Sequence, residues 1–338
     1  MAPYSPCPLS LPVNEVLVVE RDLIGIRLQD LLARAHADVH RGDLRLLLST
    51  GGVSVNGEVC LHDRKLRLGD VVILAARPQS RKPTESEPHA SLEVLADTPI
   101  SLVVAKPAGV PSVPDRSGRE SGVHGMLKVL RPDEDLRIVH RLDRNTSGCL
   151  ILAKGLEAAR HLDTEFRERR VHKVYSALVT GVPSLDEQQV DAWLGPDRRR
   201  PGLVVASDRE RSGFREAHTS VVVRQRFARH ALLELRPTTG RGHQLRVHLQ
   251  SIGHPIVCDE DYGGERLLLS RLKAAYKKRA GVEERPLLRR MFLHAECVAF
   301  CDVAGNDVTA QAPLPEDLAV ALRHVEKHQN RARRPQCD

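Results

Sequence analysis

Residues Arg77 to Ala90, RPQSRKPTESEPHA, put a break into this chain that neither a helix nor a central strand can cross. The stretch holds three prolines, several charges and no apolar periodicity. Proline lacks an N–H to donate and fixes its own φ, so such a run reads as a linker. It parts a small N-terminal domain, 14–76, from a larger C-terminal domain, 91–328, with 77–90 as the linker. Residues 329–338 are basic and low in apolar content, and are expected to form a disordered tail. The 338 residues suffice for two domains and a sizeable core. Only 3% are aromatic, so that core must be mostly aliphatic.

The formal charge of +7 points to an anionic partner, with nucleic acid ahead of a membrane surface. The cysteines at 7, 60, 149, 258, 297, 301 and 337 are odd in number and scattered, which argues against a disulfide framework and for a reducing cytoplasm. Cys297 and Cys301 flank Val298-Ala299-Phe300, which reads as a buried strand and not a metal knuckle, and no zinc spacing appears. Met1 to Pro12 lacks a basic region followed by an apolar stretch, so no secretory signal is expected. No apolar run is long enough for a bilayer-spanning helix.

Before the linker, Leu28, Leu31, Leu32 and Ala35 recur at helical spacing within Arg27–Ala37, and Asp43–Ser49 reads as a second short helix. Gly51 to Glu58 alternates around Asn56-Gly57, the strongest short hairpin signal, and Leu68-Gly69-Asp70 leads into a strand over Val71–Ala75. After the linker, strands are predicted at 100–105, 149–153, 174–179, 218–223, 231–235 and 291–300, with helices at 155–170 and 242–252. Gly195 to Glu216, polar and proline-bearing, is expected to be a surface insertion. Strands that follow one another directly define an α+β fold with a largely antiparallel mixed sheet.

The N-terminal pattern of two helices, a hairpin and a strand resembles the αL RNA-binding module, known from a small-subunit ribosomal protein and from tyrosyl-tRNA synthetases. RLQDLLAR, GGVSVNG and LRLGDVV carry the resemblance, and Gln29 departs from the acidic residue usual there.

The segment richest in chemistry is Arg137 to Lys154, RIVHRLDRNTSGCLILAK. Asp143 sits in a polar turn between Arg141 and Arg144, ahead of an apolar strand. A carboxylate near guanidinium groups stays ionised and can serve as nucleophile or general base. Taken alone, the same residues also fit a turn that Asp143, Thr146 and Ser147 merely cap.

HRLDRNTSG followed by CLILAK resembles the signature of the RluA-type pseudouridine synthases. Further matches follow in order: Lys106-Pro107-Ala108-Gly109, Lys173-Val174-Tyr175-Ser176-Ala177-Leu178, the stretch from Thr239 to Val257, and Leu293-His294-Ala295. The resemblance spans about Ile100 to Phe300. It implies an isomerase that breaks the N1 glycosidic bond of uridine and joins C5 to the ribose, with Asp143 essential. The target nucleotide must leave its stack, and the resemblance places Arg141 in the gap. It makes Tyr175 the active-site aromatic and Arg246 a basic partner of Asp143. In 242–252, His243, Arg246 and Gln250 form one polar stripe opposite Leu245, Leu249 and Ile252, so Arg246 is expected to face away from the core. His140, Lys106, Lys173, Arg241 and His243 complete the candidate substrate contacts. Gly242 departs from the hydroxyl residue common at its place.

No cofactor is implied. His243 and His248 are five apart, so they do not share a helix face as a metal pair. His294 reads as a satisfied core histidine. A catalytically silent RNA-binding factor would be expected to have lost Asp143, Tyr175 or Arg246, and all three are present. Glycoside hydrolysis normally needs a second carboxylate, and none stands in a matching motif. The αL-like module suggests large-subunit ribosomal RNA as substrate, with transfer RNA the alternative, and a monomer is expected.

Overall fold

The computed structural model describes residues 15–36, 44, 47–48, 51–75, 92–113, 122–273, 276 and 284–329. These fall into two compact units, 15–75 and 92–329, each taken by itself. The linker, most of the tail and much of the expected second helix lie outside the described residues, although Leu44, Leu47 and Leu48 are helical.

In the first unit, β1 (Glu15–Val18), β2 (Val53–Val55), β3 (Glu58–Val59) and β4 (Val71–Leu74) form an antiparallel sheet in the order β1-β4-β2-β3. Helix α1 (Leu28–Ala35) buries Leu28, Leu31 and Leu32 in one cluster with Val53, Val55, Val72 and Leu74. Asn56 and Gly57 turn the β2–β3 hairpin with φ of 54° and 85°. Two consecutive left-handed residues match the right-handed twist of the strands, and Asn and Gly reach that region at least cost. The Asn56 side chain then accepts from Val71 N and donates to Asp70, each at 2.8 Å, fastening the turn to β4.

In the second unit the chain runs through β5 (Glu93–Asp97), β6 (Ser101–Lys106), α2 (Gly122–Leu130), β7 (Leu136–Ile138), β8 (Ser147–Lys154), α3 (Gly155–Arg167) and β9 (His172–Thr180). It continues as β10 (Glu187–Pro196), β11 (Val204–Ser207), β12 (Arg215–Arg226), β13 (His230–Pro237), α4 (Gln244–Ser251) and α5 (Leu269–Leu272). It closes with β14 (Leu293–Cys301), β15 (Asp307–Gln311) and α6 (Glu316–His328). The sheet order is β11-β10-β12-β13-β9-β14-β8-β6-β5, with β15 on β14 and β7 on β8.

Every pairing is antiparallel except β14 with β8, at His294–Ser147 and Ala295–Gly148. That junction brings two backbones unusually close. A Cβ on Gly148 would lie 2.1 Å from the Ala295 carbonyl oxygen, and φ there is +117°, so only glycine fits. The polar turn holding Asp143 opens directly into this junction.

The six expected strands are present, with ends displaced by up to three residues. The expected insertion at 195–216 is instead part of the sheet. It contains the end of β10, all of β11 and the start of β12, and its Leu203, Val204 and Ala206 pack on the buried cluster of Leu194, Ala217, Val247 and Tyr262. The alternation there is short and overlain by arginines, which hides it in the sequence. Helices α2, α5 and α6 fall outside the sequence expectations, although α6 carries a signal. Pro315 precedes two acidic residues, and Leu318, Ala321 and Val325 are buried at helical spacing.

Candidate active site

The turn between β7 and β8 is held from several sides through its backbone. Thr146 N donates to the Asp143 carbonyl at 3.0 Å, closing the turn. The Ser112 hydroxyl both accepts from Leu142 N and donates to Leu142 O, each at 2.9 Å. Gly109 N donates to the Arg144 carbonyl at 2.8 Å. Arg290, clamped through Nε and Nη2 by the Asp317 carboxylate, extends Nη1 to the Asn145 carbonyl at 3.3 Å. None of these anchors uses the Asp143 side chain, so its carboxylate is left to the cleft it lines.

That cleft has a volume of about 410 Å3, and its walls include Arg141, Asp143, Lys173, Tyr175, Arg241 and His243. Tyr175 projects from β9, partly buried and packed between two hydrophobic clusters. Burial and then the Asp143 carboxylate push its phenol well above the ordinary range, so it stays protonated. The half-buried Lys173 is pushed down to about 8 by burial. Its Nζ lies 3.5 Å from the Thr239 carbonyl and 5.9 Å from the centre of the Phe166 ring. His243 takes a left-handed φ of 54° ahead of α4. Tyr262 accepts at its hydroxyl from Val204 N and can donate from it to His243 Nδ1, 2.8 Å away.

Three sequence expectations need correction. Lys106 is not a phosphate contact. It is 1% exposed, and its ammonium donates to the carbonyls of Pro107, Val110 and Arg144 at 2.8, 2.7 and 3.1 Å. It therefore ties its own loop to the Asp143 turn. His140 borders the cleft, but its Nε2 accepts from Ile151 N at 2.8 Å, and its ring packs 4.9 Å from Phe166. Burial and then the charge of Lys173 push it down to about 3, so it is neutral and props the turn against β8.

The third correction concerns Arg246, which does not face away from the core or reach Asp143. Its Nε and Nη2 grip both oxygens of buried Asp259 at 2.7 and 2.6 Å. Nη2 also meets Asp261 at 2.8 Å, and the guanidinium lies 4.6 Å from the Tyr262 ring centre. The stripe argument fails because α4 is short and buried on every side from Gln244 to Leu249. The Asp143 charge raises the Arg246 proton affinity from a distance, behind the contributions of Asp259 and Asp261. Among the described residues, the Asp143 carboxylate has no ion-pair partner.

Gln244 was not singled out in the sequence. Its Oε1 accepts from Thr239 Oγ1 and Arg241 N at 2.8 and 3.0 Å, while Nε2 donates to His218 O and Thr219 Oγ1 at 3.0 Å each. All four side-chain bonds are thus satisfied in the interior, fixing the Thr239–His243 loop that forms one cleft wall. His294 is a core histidine, as expected. It lies 2.9 Å from Ser147 Oγ and 3.1 Å from Ala312 O. Among the described residues, no group of His, Cys, Asp and Glu side chains is arranged to hold a metal ion.

The site thus combines an anchored turn presenting a carboxylate, a protonated tyrosine on the same cleft and a basic rim. Residues 100–251 match the family model for RNA pseudouridylate synthase. The chain belongs to the RNA pseudouridine synthase family. It is 32% identical to ribosomal large subunit pseudouridine synthase C of Vibrio vulnificus, over 92% of this chain and 96% of that one. The same holds for the Escherichia coli K12 protein of that name, at 32% identity over 93% and 97%. Among solved structures, human RNA pseudouridylate synthase domain containing 4 matches with a TM-score of 0.56 at 27% identity, covering 69% of this chain and 92% of that one.

Proposed function

We propose that this enzyme isomerises uridines in large-subunit ribosomal RNA, with Asp143 as the essential carboxylate. The observation carrying the reading is the Asp143 carboxylate itself, held by backbone anchors in a cleft that the partly buried Tyr175 also lines. The names of the full-length relatives support the ribosomal substrate. In this reading the N1–C1′ bond of an extruded uridine breaks, the base rotates and C5 bonds to C1′. The C5 proton leaves and N1 ends protonated, so the reaction is redox-neutral. The Tyr175 ring stacks on the loose uracil, worth about 1–3 kcal/mol, and Arg141 enters the gap in the RNA. The first unit serves as an RNA-binding module ahead of the catalytic domain. The test offers large-subunit ribosomal RNA and transfer RNA in competition and maps the product. Pseudouridine is expected in the ribosomal RNA, whereas modification confined to transfer RNA would overturn the substrate assignment.

Lys106 adds a pH dependence. Burial pushes its ammonium down to about 7, although the Asp143 charge opposes the shift. Below that pH three N–H groups serve three carbonyls. Above it a neutral amine turns a lone pair toward one of them, and the Asp143 turn loses a tie. The expected result is a fall in kcat/KM on the alkaline side with a midpoint near 7. Lys106→Arg, whose charge does not titrate, should carry that limb beyond about pH 9. A wild-type profile flat across the same range would refute the assignment.

A further inference from the structure

One arginine lines a rim of the cleft, and two more stand at the same end of the sheet, where β9 and β12 begin. Arg241 lines the rim and uses Nε to donate to the Glu216 carbonyl at 3.0 Å, leaving the two terminal nitrogens of a half-buried guanidinium without a described partner. Arg215 adjoins Glu216 at the start of β12. Arg169 stands in the turn from α3 to β9. The Lys173 contact to the Thr239 carbonyl draws that strand against the Thr239–Arg241 loop. Arg169 and Arg215 are exposed, and neither side chain has a hydrogen-bond or ion-pair partner among the described residues. The Glu216 carboxylate lies 3.8 Å from His218 Nε2.

We propose that Arg169, Arg215 and Arg241 form a phosphate-binding site that holds the RNA backbone beside the extruded uridine. The site deepens the proposed function and rests on it. Guanidinium forks suit phosphate oxygens, and phosphate contacts set register on a nucleic acid without reading its sequence. One further observation supports the site. Burial, then the charges of Arg215 and Arg169, lower the Arg241 proton affinity, while the opposing pull of Glu216 is the smallest influence. Such a cation lacks internal compensation, and a bound phosphate would supply it. Arg169 also holds φ at 61°, a region that favours glycine. That left-handed angle closes the C-terminus of α3, where Arg169 N donates to Phe166 O at 3.2 Å and Arg170 N to Glu165 O at 2.9 Å.

Arg169→Gly therefore separates the two roles. Glycine accepts the backbone angle, so thermal stability should hold or rise, while RNA binding should weaken. The experiment measures modification of a large-subunit ribosomal RNA transcript by the wild-type enzyme and titrates salt against its binding. Arg169→Gly, Arg215→Ala and Arg241→Ala should each weaken binding by about threefold to tenfold and reduce the log–log salt slope by about 0.7–0.9. For Arg169→Gly and Arg215→Ala, KM should rise while kcat stays within about twofold, and Arg215→Lys should restore most of the slope because its charge returns. Unchanged affinity and slope in all three variants would overturn the site. Failure of the wild type to modify the transcript would instead overturn the proposed function.

Discussion

Replacing Asp143 by asparagine should abolish pseudouridine formation while leaving the fold and RNA binding near wild type. The anchors of its turn run through the carbonyls of residues 142 to 145 and the Ser112 hydroxyl, none through the Asp143 carboxylate. Asparagine is nearly isosteric, so the stability change should stay within about 0.5–1 kcal/mol. Loss of the only charged oxygen pair on the turn removes nucleophile or base alike, and turnover should fall by at least about a thousandfold. A second readout needs no turnover. The Asp143 charge raises the proton affinity of both Tyr175 and Lys106. Removing it should therefore shift the Tyr175 titration toward lower pH, observable by ultraviolet difference spectroscopy. Isomerising activity within tenfold of wild type would sink the assignment of Asp143.

The next largest effect is expected at Arg246, and it is chiefly one of stability. Arg246→Ala leaves Asp259, 2% exposed, as an unpaired buried carboxylate. Breaking a buried pair on one side costs about 3–5 kcal/mol, or a fall in Tm of roughly 6–20 °C for a domain of this size. Activity should fall with it, because the same guanidinium stacks on Tyr262, whose hydroxyl meets His243 on the cleft wall. Lysine restores the charge but not the two-point grip, so Arg246→Lys should recover only part. Double-mutant cycles identify the partner. Coupling to Asp259 should reach about 1–3 kcal/mol and coupling to Asp143 should stay below about 0.5 kcal/mol. The reverse ranking would restore direct pairing with Asp143.

Much of this arrangement was legible in the sequence where chemistry is local. Asn56-Gly57 marked its hairpin because few residues accept two left-handed angles in succession. Leu28, Leu31 and Leu32 marked α1 because a helix brings such spacings onto one face. The run from His140 to Lys154 announced a polar turn entering a buried strand, and Asp143 and Tyr175 do line one cleft. His294, expected in the core, bonds there at both ring nitrogens.

Tertiary structure alone decided what each cation does. Lys106, Lys173 and Arg241 look alike in a sequence, yet Lys106 is enclosed by three carbonyls while the other two border the cleft. Arg246 lay on a stripe that periodicity assigned to solvent, but the sheet and the 260–262 turn cover α4, and Asp259 takes the charge. Periodicity reports which residues share a face and not what covers it. A buried cation persists only where oxygens converge on it from distant segments, and that convergence is a property of the packed chain.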